Sequence, residues 1–173
     1  MSYYYLFSRN KKLGSKLISW AGSLFKEDIS ELDNKIPSHI AVLINDCLVI
    51  ESTLTTGVRI IPYNKWLEIN EELFKIKCIQ SYDNLEMKKK ELLFEMWGKK
   101  YDYIGIVYFA KCIIKRLLFK TSLPSSNQWE QEDKYFCTEF AARLSGYDYS
   151  MTTPAKMCND FLKITKNGTY NLR

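Results

Sequence analysis

The sequence predicts an α+β fold in which an antiparallel sheet packs against helices. Short runs with period-two alternation crowd its first half, and runs with helical spacing fill most of its second half. Composition agrees: 46% of the 173 residues are hydrophobic, 14% aromatic and 26% charged, the balance of a chain that folds around a core. The length suits a single domain spanning 1–173.

Tyr3–Phe7 reads as a first strand. Lys11–Phe25 reads as a helix with Leu13, Leu17, Trp20 and Leu24 on one stripe, followed by a polar connection to Pro37. His39–Ile44 and Leu48–Ser52 read as two strands joined around Asn45-Asp46. Val58–Ile61 is a short strand stopped by Pro62, and a short helix over Asn64–Ile69 follows. Leu73–Gln80 alternates Lys75 and Lys77 against Phe74, Ile76 and Cys78, as a strand does. Asn84–Trp97 has helical spacing, with a cap near Asp83 and Gly98 at its end. Ile104–Phe119 is a more apolar helix, and 120–134 is a long loop. Cys137–Ser145 is a helix closed by Gly146. Thr153 and Pro154 supply the N-cap and first position of a last helix. Lys166-Asn167-Gly168-Thr169 is expected to turn between two short final strands.

Net charge is +5, which fits an anionic membrane or cell-wall surface as partner and also fits a merely solvated basic face. Lys88-Lys89-Lys90 lies beside Glu86 and Glu91 without a basic-aromatic recognition motif, so no nucleic-acid partner is expected. The five cysteines, at 47, 78, 112, 137 and 158, form no CxxC pair, and with one histidine they make no metal motif. No cofactor or metal is expected, and the odd count points to reduced thiols. Met1–Phe7 lacks a charged n-region and a cleavage site. The longest apolar stretch, Tyr103–Ala110, is far below the roughly 20 residues that span a bilayer. A cytoplasmic location as synthesised is therefore expected, with peripheral membrane attachment or export by another route as alternatives.

Lys111, Lys115, Arg116 and Lys120 have two readings: a core helix with snorkelling cations, or an interfacial membrane contact.

A thiol nucleophile needs deprotonation, a neighbouring base and a group that orients the base. Cys137 stands in the opening turn of its helix, where free backbone N–H groups and the helix dipole favour negative charge. The same N–H groups suit an oxyanion. The competing reading makes Cys137 a small buried apolar residue. His39 is the only histidine, so a cysteine hydrolase here has no other imidazole base. Glu51, at the end of the partner strand, is the carboxylate that could orient it. Register decides whether they share a face. A two-residue turn at Asn45-Asp46 sets His39 opposite Ser52 and turns Glu51 away. A three-residue loop, Asn45 to Cys47, or an equivalent bulge, sets Glu51 opposite Ala41 and on the face of His39. With the tighter turn, Ser52 is the orienter that remains. Glu139 reads as a first-turn carboxylate stabilised by the dipole.

The segments Ser38-His39-Ile40-Ala41-Val42, Val49-Ile50-Glu51, Gly57-Val58-Arg59 and Tyr135-Phe136-Cys137-Thr138-Glu139 resemble the circularly permuted NlpC-type papain-like proteins, including the YiiX-type group. That group runs histidine, third polar residue, then cysteine, and this chain has that order. Tyr101-Asp102-Tyr103 and Thr153-Pro154-Ala155 also resemble it, so the likeness extends over most of the chain on short motifs. It implies a papain-like fold with Cys137 as nucleophile at a helix N-terminus, His39 as base and Glu51 as third residue. Thr138 departs from the commoner Ser, and the segment before His39 is long and charged. The lecithin:retinol acyltransferase-like group shares the order but usually has His where this chain has Glu51.

Substrates across the superfamily include peptides, amides and lipid esters, so fold alone does not select one. The leading expectation is a thiol hydrolase with a Cys137-His39-Glu51 triad and a thioester acyl-enzyme, acting on an amide, peptide or peptidoglycan-type bond. A lipid ester or thioester hydrolase, or an acyltransferase, is the alternative within the fold. A non-catalytic membrane- or protein-binding module is the alternative of a different class.

Overall fold

A computed structural model describes residues 3–10, 12–25, 29–77, 90, 94–124, 127–129, 131, 133–145 and 151–167. Five strands, β1 (Tyr3–Arg9), β2 (His39–Ile44), β3 (Leu48–Thr53), β4 (Gly57–Pro62) and β5 (Glu71–Lys77), form one antiparallel sheet in the order β4-β3-β2-β1-β5. Helices α1 (Leu13–Ser23), α2 (Tyr63–Ile69), α3 (Tyr103–Phe119), α4 (Cys137–Ser145) and α5 (Pro154–Asn167) accompany it among the described residues. The α+β reading therefore holds.

Alternation along the strands divides two cores between the sheet's faces. On one face Leu6, Ala41, Leu43 and Val49 pack against Trp66 of α2, which crosses the sheet to connect its two edge strands. On the other face Phe7, Ile40, Val42, Ile50 and Val58 pack against Phe140 and Ala141 of α4 and Met157 and Phe161 of α5. The Phe161 ring lies 4.9 Å from Tyr5 and 6.1 Å from Phe7, centroid to centroid. A third cluster joins Tyr108, Phe109, Cys112 and Ile113 of α3 to Met151.

The helix starts follow capping chemistry. Asp102 Oδ1 accepts from Gly105 N at 2.8 Å ahead of α3, and Thr153 Oγ1 accepts from Lys156 N at 3.1 Å ahead of α5. Three expectations need correction or limits. The stripe expected to bury α1 does not: Leu17 and Trp20 are exposed, and the inward side carries Ser19, whose Oγ donates to Ile36 O at 3.0 Å, and Gly22. A Cβ at Gly22 would lie 2.9 Å from Ala155 Cβ, so close approach of α1 to α5 selects small residues over apolar bulk. Lys166 and Asn167 belong to α5 rather than to a turn, because the helix runs on past Thr165, whose Oγ1 donates to Phe161 O. The two final strands, most of the helix expected over Asn84–Trp97, Cys78 and Gly146 lie outside the described residues.

Candidate active site

The hairpin between β2 and β3 combines both turns considered for it. Asn45 and Asp46 have φ of 49° and 55°, and Cys47 N donates to Ile44 O at 3.1 Å, as in a two-residue turn. The ladder nevertheless resumes at Ile44↔Leu48, followed by Leu43↔Val49 and Val42↔Ile50. Cys47 is thus an extra residue, and the register carried onward sets Ala41 against Glu51. His39 and Glu51 share a face. His39 Nε2 lies 2.7 Å from Glu51 Oε2.

Neighbouring elements hold each member. Ser38 N donates to Ser8 O at 2.9 Å and its hydroxyl bonds that of Ser15, which ties the start of β2 to β1 and α1. Glu51 is 1% exposed and accepts four hydrogen bonds: His39 and Trp66 Nε1 (3.0 Å) on Oε2, and Arg59 Nε (2.9 Å) and Nη2 (2.6 Å) on Oε1. Arg59 stands directly across the β3–β4 ladder from Glu51. Trp66 is delivered by the α2 crossover.

Cys137 is the first residue of α4, on the opposite layer. Phe140 N donates to Phe136 O at 2.9 Å, so Phe136 is the N-cap residue. Glu139, three residues on, accepts from Phe136 N at 3.3 Å, the reach-back of a capping-box carboxylate. Ser52, the alternative orienter, faces away from Glu51 and donates to Tyr135 O, fastening the approach to α4 onto β3. Lys100 O accepts from Tyr135 N at 3.1 Å on the other side.

His39 bridges the two layers. Paired residues join β2 to β3 only as far as Val42↔Ile50; beyond them β2 is held by β1 and β3 by β4. The two strands are not laddered together at the His39 end, and the imidazole there bonds Glu51 and lies near enough to the Cys137 thiol for each to feel the other's charge. The His39 side chain is 15% exposed and Cys137 5%.

Burial alone would push the imidazole's pKa down. Hydrogen bonds and charge from Cys137 and Glu51 outweigh it and raise the value to about 10. Burial likewise pushes the Glu51 carboxyl up, but His39 and then Arg59 overcome it and hold the value at about 2. At neutral pH the site contains an imidazolium, a carboxylate and a guanidinium. Tyr101, buried just ahead of α3, has its phenol pushed up by burial and next by the adjacent Cys137, so it stays a protonated donor. Burial also pushes the Cys158 thiol up, the ordinary state of a core cysteine.

The structure thus brings together Cys137, His39 and Glu51. Sequence reading gave no role to Arg59 or Trp66. For Arg59 a signal existed, since a basic residue eight positions after a carboxylate can face it across a short hairpin. For Trp66 there was none, because its position depends on where α2 crosses the sheet. Among the described residues no group of three or more His, Cys, Asp or Glu side chains could hold a metal ion. No helix among them is long and apolar enough to cross a membrane. No protein-family model, curated protein or solved structure matches this chain.

Proposed function

We propose that the chain is a cysteine hydrolase of the permuted papain-like fold, cleaving an amide or peptide bond, including bonds of the peptidoglycan type. The observation that carries this reading is the single imidazole, bonded to a buried carboxylate and set beside a thiol at a helix N-terminus. In this mechanism Cys137 Sγ attacks the carbonyl carbon while the backbone N–H groups of the first turn of α4 and the Tyr101 hydroxyl receive the developing oxyanion. The His39 imidazolium gives a proton to the leaving amine as the C–N bond breaks, which leaves a thioester. Water then attacks the thioester, His39 takes the water's proton to become imidazolium again, and the free acid departs as Cys137 Sγ leaves as the thiolate. Glu51 holds the ring's orientation and stabilises its positive charge, and Arg59 and Trp66 hold Glu51. The slight exposure of Cys137 suits a slender acyl group better than a folded protein surface.

A lipid ester or thioester is the second reading, favoured by apolar residues exposed along α3. The test of the chemistry is iodoacetamide modification at pH 6. Cys137 is expected to react at least about tenfold faster than the exposed Cys47, and His39→Ala to abolish the difference. Equal rates for the two cysteines, or an unchanged rate in His39→Ala, would overturn the proposal. A panel of peptides, muropeptides and lipid esters, with Cys137→Ala as control, then selects the substrate.

A further inference from the structure

α3 turns one face to the protein and presents another that no described part of the chain covers. Its inward face carries Gly105, Tyr108, Phe109, Cys112 and Ile113. At 100° per residue the opposite face carries Tyr103, Val107, Ile114, Leu117 and Leu118, all exposed, with Val107 at 59%, Ile114 at 56% and Leu118 at 70%. This stripe runs the length of a 17-residue helix, about 25 Å. A helix packed on a soluble core ordinarily turns polar side chains to water. An apolar exposed face of this extent marks a contact surface.

Charge identifies the occupant. From Tyr103 to Lys120 there is no Asp or Glu, while Lys111, Lys115, Arg116 and Lys120 are basic. Lys111 and Lys115 fall along one border of the stripe, and both are exposed. Lys111 Nζ lies 4.8 Å from the ring centroid of Trp129, which is itself partly exposed and packs on Tyr108 at 5.1 Å. An apolar stripe bordered by lysines and a tryptophan is the pattern of a helix lying in the plane of a lipid surface, with long cations reaching the headgroups. The net charge of +5 acts in the same sense.

We infer that α3 docks the protein flat on an anionic lipid surface, with Val107, Ile114 and Leu118 among the acyl chains and Lys111 and Lys115 at the headgroups. The head of the stripe adjoins the candidate active site. Tyr103 OH donates to Leu54 O in the β3–β4 loop, and Leu54 is exposed as well. Asp102 and Tyr101, immediately before α3, lead back to Cys137. Docking in this pose sets the thiol beside the membrane surface.

The docking does not depend on the thiol chemistry, and the experiment separates the two. The full chain is sedimented with vesicles of phosphatidylcholine alone and of phosphatidylcholine with 30% phosphatidylglycerol, in 0.1 M salt. The wild type and Cys137→Ala are expected to partition alike onto the anionic vesicles and weakly onto the neutral ones. Val107→Asp/Ile114→Asp and Lys111→Glu/Lys115→Glu are each expected to lower anionic partition about tenfold or more. All four positions are exposed, so the variants should keep the wild-type melting temperature and Cys137 modification rate. The inference is overturned by no wild-type partition onto anionic vesicles, or by apolar variants that bind as the wild type does. It is equally overturned if the wild type is a dimer by light scattering that Ile114→Asp dissociates, since a second copy would then occupy the face.

Discussion

Replacing Glu51 with Gln removes one charge while keeping shape, at a carboxylate that is 1% exposed and accepts four hydrogen bonds. If the remaining amide oxygen stays on Arg59, the new NH2 group stands where Oε2 received His39 and Trp66, and donors then meet donors. Trp66 is fully buried, so its indole N–H has no water to replace the lost acceptor, which costs about 1–3 kcal/mol. The His39 charge also loses its partner, and breaking a buried ion pair from one side typically costs about 3–5 kcal/mol. These terms overlap. The expected total is about 3–5 kcal/mol, a large share of the roughly 5–15 kcal/mol that holds a domain folded. Urea unfolding at pH 6, followed by tryptophan fluorescence, should show a midpoint about 1–3 M lower than wild type.

The pH dependence of that gap identifies its origin. The His39 pKa is raised from 6.5 to about 10 in the folded state, so its contribution is fully present below 6.5 and lost as pH rises through about 10. The Glu51 pKa is lowered from 4.5 to about 2, so its contribution is present above 4.5 and lost as pH falls through about 2. The gap between wild type and Glu51→Gln should be widest between about pH 4.5 and 6.5 and should narrow towards pH 10. A difference below about 1 kcal/mol at pH 6, or one equal at pH 6 and pH 10.5, would refute a desolvated imidazolium–carboxylate pair.

Gly57→Ala should lower stability by about 2–5 kcal/mol in a thermal or urea melt, because Gly57 has φ +68° and a Cβ there would lie 2.1 Å from Lys99 O. Trp66→Phe should cost about 1.5–3 kcal/mol in the same urea assay by removing a donor to a buried carboxylate. It should also slow Cys137 modification at pH 6, as Glu51 loses one of its anchors. Thr153→Ala should cost about 1 kcal/mol through the lost cap of α5, without changing that modification rate.

The α4 helix was legible in sequence because its signals are local. Cys137–Ser145 carries a first-turn Glu139 and a last-turn Arg143, and its bounds match the expected ones. The strand spans from β2 to β4 were legible for a similar reason, since alternation and Asn, Asp, Gly and Pro at the turns act over a few residues. The face buried by α1 was not. Its apolar stripe is the locally obvious one, but contact with Ile36, Ser38 and Ala155 depends on segments far along the chain.

By itself the sequence determined that any imidazole base must be His39, that the cysteine set into a helix start is Cys137, and that a sheet precedes most of the helices. It also reduced the pairing of His39 with Glu51 to one question of register. Tertiary structure alone decided that question. A side chain's face changes with every single-residue shift, and both the two-residue turn and its extended form fit Asn45-Asp46-Cys47. It also decided that β2 and β3 carry no shared ladder beyond Val42 and Ile50, that α2 carries Trp66 to Glu51, and that α4 brings Cys137 to the imidazole from the opposite layer. Local propensity acts over about a turn of chain, whereas these contacts join residues up to almost a hundred positions apart.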